Sequence, residues 1–179
     1  MPELKYLKDK KIVFRDEPFV MDVIYSMEKG NASIQLYDIF PGVQLMVTDF
    51  QSDTCYQSGM EQDVISIEHC LKGRFECMFD NRNCVYMGPG DVAINNVLHC
   101  PIASSFPLNY YVGATIILYP QICKASSELK AFGIDIEILT NKYFLNERCM
   151  LFRRKEEIEH VYRELYASLE KPDLPFLRL

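Results

Sequence analysis

From about residue 33 to residue 119 apolar and polar residues alternate in short runs. Side chains along a strand point to opposite faces in turn, so this pattern predicts an antiparallel all-β region with one face buried. The runs are SIQLYDIF, VQLMVTDF, DVISIEHC, RFECMF, NCVYM, DVAIN and VGATIILY. Pro41-Gly42, Lys72-Gly73, Asp80-Asn81 and Gly88-Pro89-Gly90 separate them, and each favours a backbone shape that a strand does not adopt. Short strands at regular spacing predict a barrel or sandwich. After Pro120 the apolar spacing moves to helical intervals. Between Lys155 and Lys171, Ile158, Val161, Tyr162, Leu165, Tyr166 and Leu169 form one apolar stripe. That stripe either packs on the β domain or meets its copy in a second subunit. The segment KIVFRDEPFVMDVIYSM reads as an extra strand pair or as an arm across the barrel mouth. At the other end Pro172 stops the long helix and Asp173 is placed to cap a new one. Leu174, Phe176, Leu177 and Leu179 then begin an apolar pattern that breaks off, so the natural protein is expected to continue.

Composition narrows the function classes. The 179 residues are 49% apolar and 25% charged, which suits one principal globular domain. Nineteen Lys and Arg against 25 Asp and Glu give a formal charge of -6, the wrong sign for a domain that holds DNA by itself. No apolar run is long enough to span a bilayer, and the start MPELKYLKDKK has no apolar signal core after it, so a cytoplasmic location is expected. Seven cysteines, an odd number without a C-x-x-C pair, argue for reduced thiols rather than a disulfide framework or zinc knuckle.

The segments SIEHCLKGRFECMF and MGPGDVAINN, followed by SSFPLNYY and flanked by PGVQLMVTDF and VGATIILY, resemble the regulatory domains of AraC-type (AraC/XylS) transcriptional regulators, and the resemblance runs over roughly residues 35 to 179. It implies a mainly β fold, a cupin-like antiparallel β-barrel (jelly roll), followed by an α-helical dimerisation element. On that reading residues 1–120 are the sensing barrel with its N-terminal arm, 121–171 the dimerisation element, and 172–179 the start of a linker. Family membership further implies a small-molecule effector, a homodimer, and promoter DNA contacted only through a second domain with two helix-turn-helix motifs, which this sequence does not contain. No membrane partner is implied.

Cupins also include metal-dependent enzymes, and the residues can be tested against that alternative. In the enzymatic pattern G-x5-H-x-H-x3,4-E-x6-G, with Gly73 as the closing glycine, Ser66 occupies the carboxylate place, and the histidine places fall on Gly59 or Met60 and on Glu61 or Gln62. The histidine place of the second motif is Pro101, with His99 nearby. A catalytic metal needs about three converging protein ligands, so neither a metal nor another cofactor is expected. His69, His99 and His160 lie on separate elements and read as structural. No G-x-S-x-G elbow, phosphate-cradling loop or Cys-His nucleophile is present, and no residue is assigned to catalysis.

The inward-facing side chains follow from the alternation. Phe75, Cys77 and Phe79 are apolar between the charged Arg74 and Glu76. If Lys72-Gly73 is a two-residue hairpin turn, Cys70 opposes Phe75, Glu68 opposes Cys77 and Ser66 opposes Phe79. Ser66 and Glu68 then sit inside an apolar barrel as candidate ligand contacts, with Cys70, Phe75, Cys77 and Phe79 around them. A bulged turn would instead turn Ile65, Ile67 and His69 inward. Among the aromatic residues Tyr56, Tyr86, Tyr110 and Tyr111, Tyr110 is the further candidate at the mouth, although alternation does not fix the direction of the Tyr110-Tyr111 pair. For dimerisation the candidates are Ile158, Tyr162, Leu165, Tyr166 and Leu169. Three functions stay open: an effector-binding module, a metal-dependent cupin enzyme, and a dimerisation scaffold whose barrel is filled by its own side chains.

Overall fold

The computed structural model describes residues 13–17, 20–27, 30–53, 64–79, 84–96, 101–144 and 149–169. Tyr56, His99 and the apolar pattern after Pro172 lie outside them. The chain runs β1 (Val13–Glu17), β2 (Val20–Met27), β3 (Gly30–Phe40), β4 (Val43–Ser52), β5 (Ile65–Gly73), β6 (Phe75–Met78), β7 (Cys84–Met87), β8 (Val92–Asn96), β9 (Ala103–Ser105) and β10 (Tyr111–Leu118). Then come α1 (Pro120–Cys123), α2 (Ser127–Ala131), α3 (Ile136–Phe144), β11 (Met150–Phe152) and α4 (Glu156–Leu169).

Eight strands form one sheet in the order β1-β2-β3-β4-β10-β5-β8-β11, and three form a second, β7-β6-β9. Every pairing in both is antiparallel. The mainly β architecture with helices after the last long strand is thus the one expected from alternation. Among the described residues no ladder joins the two sheets, so they pack face to face and are not closed into the expected barrel. Of the two readings of the N-terminal segment, the strand pair is observed: β1 and β2 extend the meander outward from β3.

Turn chemistry sets the corners. At Gly88-Pro89-Gly90-Asp91 the Asp91 amide donates to the Gly88 carbonyl at 3.0 Å while Gly90 takes φ +86°, the geometry that Pro followed by Gly favours. Gly73 also has positive φ, and a Cβ there would run into the Tyr110 carbonyl oxygen. This corner corrects one expectation. Lys72-Gly73 is not a hairpin turn, because β5 pairs with β10 and β8 whereas β6 pairs with β7 and β9. The chain leaves one sheet at Gly73 and enters the other.

Two cores result. Between the sheets lie Ala32, Phe50, Cys70, Phe75, Cys77, Met87, Ala93, Phe106 and Tyr111. Phe106 is at its centre, 4.9 Å from Phe50, 5.8 Å from Phe75 and 5.0 Å from Tyr111 between ring centroids. On the opposite face of the large sheet, Val43, Ile65 and Leu118 pack under Cys123, Leu129 and Ile136 of α1 to α3. Ser126 caps α2, accepting from the Leu129 amide at 3.2 Å.

Helix α4 covers a different part of that outer face. The Tyr162 ring stacks on His69 of β5 at 3.9 Å between centroids, and the Tyr166 hydroxyl lies 3.2 Å from His69 Nδ1. Burial holds the His69 pKa below its ordinary value, against the pull of nearby Glu159 and Asp91. Asp91 secures the start of the helix: its carboxylate accepts from the Gly88 amide at 3.0 Å, the Arg154 amide at 3.2 Å and the Arg153 guanidinium at 2.7 Å. No helix among the described residues is long and apolar enough to cross a membrane.

Candidate functional site

Strand registers define what faces the space between the sheets. Ala93, Asn95, Ser66, Glu68 and Cys70 share one face with Gly113, Thr115 and Ile117 of β10. The same face continues through Gln44, Met46, Thr48 and Phe50 of β4 and through Ala32, Ile34, Leu36 and Asp38 of β3. Of the two registers left open by sequence, the one placing Ser66, Glu68 and Cys70 inside is observed, and Ile65, Ile67 and His69 take the helix-covered side. It holds without the hairpin from which it was argued. Cys70 and Phe75 enter the same core because the sheets lie against each other.

This inner face is not uniform. Toward Phe50 and Tyr111 it is aromatic and covered by β6, β7 and the Phe106 segment. Two to four residues further along each strand it becomes a polar band: Thr115 opposes Glu68, and Ser66 opposes Asn95. Ser66 and Thr115 are buried, while Glu68, Asn95, Met46 and Leu36 keep some accessible surface, so solvent reaches this end. The Ser66 hydroxyl donates to Glu68 Oε1 at 3.5 Å, and Asn95 also bonds the carboxyl group. Burial lifts the Glu68 pKa to about 7, against the smaller opposite pull of those two bonds. The thiols beside it are neutral at that pH, with burial pushing Cys77 to about 11 and Cys149 to about 12.

The other candidates are divided. Cys70, Phe75 and Cys77 are in the inter-sheet core and Phe79 packs against it. Tyr110 is not: it is 39% exposed, and Tyr111 takes the inward place, stacked on Phe106. The register shift between Val112 and Gly113 disturbs the alternation at this strand end and explains why sequence left the pair undetermined. Asn95, which bonds Glu68, and Thr115, which stands opposite it in register, were missed because both are brought to it only across strand pairs. Their local pattern carries no sign of it.

Two surface concavities of about 280 and 300 Å³ are present, and Glu68 lines neither. The smaller lies over β6, β7 and β9, where the Arg74 and Arg153 guanidiniums stand 4.5 and 4.4 Å from the Tyr86 ring centroid. Arg74 is paired with Glu76 at 2.6 Å and Arg153 with Asp91 at 2.7 Å, so both charges are compensated. The other is lined by Gln51, Ser52, Asp53 and Asn109. Among the described residues no three His, Cys, Asp or Glu side chains come together as metal ligands.

On α4 the predicted stripe splits. Tyr162 and Tyr166 turn onto His69, Ile158, Leu165 and Leu169 are half-buried at the flanks, and Val161 is 63% exposed.

No family model and no curated protein matches this sequence. Solved structures give partial likenesses. A transcriptional regulator of the HTH_3 family from Vibrio cholerae is 18% identical over 49% of this chain and 51% of its own, with a TM-score of 0.39. The AraC-like transcriptional activator CuxR is 11% identical over 90% of this chain and 51% of its own, with a TM-score of 0.38. The Clostridium difficile EutQ protein is 16% identical over 61% of this chain and 79% of its own, with a TM-score of 0.32. The chain spans about half the length of the first two. Likenesses at this level assign no function.

Proposed function

We propose that this chain is the effector-binding and dimer-forming regulatory domain of a cytoplasmic AraC-type transcriptional regulator, and that it acts by binding rather than by catalysis. The observation that carries the reading is the polar band of Ser66, Glu68, Asn95 and Thr115 inside an otherwise apolar inter-sheet space. A largely buried carboxyl group with only two neutral hydrogen-bond partners costs the fold stability, a cost that a bound ligand would offset. Adjacent residues of β5 face opposite ways, Glu68 toward the band and His69 toward α4, so an occupant that shifts β5 bears on the helix directly. Such an occupant regulates only through different affinities for the two placements of the helix.

The test is a compound screen by thermal shift on the chain, with hits located by amide chemical-shift changes. Hits mapping to Glu68, Asn95 and Thr115 support the reading, and hits confined to the Tyr86 groove or the Gln51 concavity oppose it. The chain alone is expected to give no sequence-dependent retardation of duplex DNA, given its charge of -6. Dimerisation is assigned to Ile158, Leu165 and Leu169 at the flanks of α4, joined by the exposed Val161, with Tyr162 and Tyr166 holding the helix in place. Leu165→Glu is then expected to shift sedimentation toward monomer while leaving the melting transition cooperative.

A second reading has its own support. Phe50, Phe75, Phe106 and Tyr111 fill the aromatic end, and a space filled throughout would make the domain a dimerisation scaffold. That reading predicts no hits at the band.

A further inference from the structure

We infer that the polar band takes a small organic cation, a protonated amine carried on an apolar body, with the Glu68 carboxylate as its counter-ion. The inference rests on the effector-site reading and adds the chemical class.

The sign of charge comes first. Across the described inner-face positions from β3 to β11 there is no Lys, Arg or His. The acids there are Glu68 and, at the exposed rim, Asp38, which accepts from Gln44 at 2.6 Å. A carboxylate or phosphate entering this space would meet Glu68 and find no cation among the described residues. A neutral polyol would be served equally by Ser66, Thr115 and Asn95, and the carboxyl group would then add only its burial cost. An ammonium group turns that cost into a gain, because an ion pair strengthens where the dielectric is low and three neutral polar side chains remain to accept or donate around it.

The apolar body follows from the gradient along the face. One register step from Glu68 stand Cys70 and Gly113, and beyond them Phe50, Tyr111, Phe75 and Phe106. A ligand charged at one end and apolar at the other matches polar band and aromatic end together, and the rings favour a cation nearby through their faces.

Binding is coupled to a proton. Glu68 is about half protonated near pH 7, so an ammonium ion that pairs with it displaces that proton to the buffer. Among the described residues the titratable groups facing Glu68 are the Cys77 thiol of β6 and the Cys149 thiol ahead of β11, and both stay protonated through this range. Among the described residues, the pH dependence of binding therefore reports on Glu68.

The experiment titrates the full chain with three probes of one shape, cyclohexylamine, cyclohexanol and cyclohexanecarboxylate, by calorimetry and thermal shift at pH 6, 7 and 8. Expected is binding of the amine only, weakening roughly tenfold from pH 8 to pH 6 as Glu68 protonates, with an observed binding enthalpy that varies linearly with buffer ionisation enthalpy and whose slope gives the protons released. Glu68→Gln is expected to lose the amine at least about tenfold and to lose the pH dependence, while the surface variant Glu157→Gln binds like wild type. If cyclohexanol or cyclohexanecarboxylate binds at the band as well as the amine, the cation is overturned and the effector site stands. If none of the three perturbs Glu68, Asn95 or Thr115, both are overturned. An amine affinity flat from pH 6 to 8 in the wild type also overturns the counter-ion role, without recourse to any variant.

Discussion

The two ends of the inter-sheet face are built from the same strands and have opposite characters. At one, Phe50, Phe75, Phe106 and Tyr111 interlock with centroid separations between 4.9 and 5.9 Å. At the other, Ser66 and Glu68 of β5 stand between Asn95 on one neighbouring strand and Thr115 on the other, four polar groups on three adjacent strands. The first end is finished by its own side chains. The second carries an acid that its surroundings hold partly in the neutral form, so the fold spends stability there that the aromatic end supplies.

Four substitutions sharpen the contrast. Phe106→Ala removes a ring that is 1% exposed, and should destabilise the domain by about 3–5 kcal/mol in a denaturant melt. A loss below about 1 kcal/mol would mean that the aromatic end is loosely packed and itself able to admit a ligand.

Glu68→Gln should act in the other direction. The carboxyl group titrates at about 7 when folded and near its ordinary 4.5 when unfolded, so between those values the folded state holds the extra proton. Wild-type stability therefore falls as pH rises from 4.5 to 7, and the loss is complete above 7. The glutamine variant lacks this limb and should be more stable at pH 8 by up to about 3 kcal/mol, with the gain vanishing toward pH 4.5. Burial lowers the His69 pKa and gives a slope of opposite sign below 6.5, but it is common to both proteins and cancels in the difference. Parallel pH profiles for the two proteins would remove Glu68 from the interior.

Asp91→Ala lies outside both ends. It strips hydrogen bonds from the Gly88 and Arg154 amides and an ion pair whose arginine is 53% exposed, and about 2 kcal/mol is expected, most of it from the amides. The Glu68 limb should survive unchanged. Val161→Ser, on the exposed side of α4, should change monomer stability by less than about 0.5 kcal/mol. A larger change that depends on protein concentration would place Val161 in the dimer contact.

Alternation located the long strands and put Phe75 and Cys77 on the inner side, because a one-residue slip would have buried Arg74 and Glu76. The side of Ser66, Glu68 and Cys70, by contrast, hung on a hairpin that does not form and stayed open between two registers. Sheet membership was not readable in the same way. Lys72-Gly73 carries ordinary turn residues, and whether a chain doubles back or crosses to a second sheet depends on what β5 finds beside it. The strands Ala103–Ser105 and Met150–Phe152 were missed because three residues hold no period. Asn95 and Thr115 fall within predicted strands, yet their part in the site is set by register with β5, which local sequence does not encode.

The position of β5 has a consequence for backbone exchange with solvent deuterium. It is paired on one side with β10 and on the other with β8, the Cys70 amide donates to the Asp91 carbonyl at 3.1 Å, and its two faces are covered by the inter-sheet core and by the helices. Its amides therefore open to exchange only when the whole domain does, whereas those of β9 and β11, at sheet edges, open locally. A compound bound at the band slows β5 exchange by the factor 1 + [L]/Kd. The amides of Ile67, Glu68 and His69 thus serve as a gauge of occupancy that needs no label.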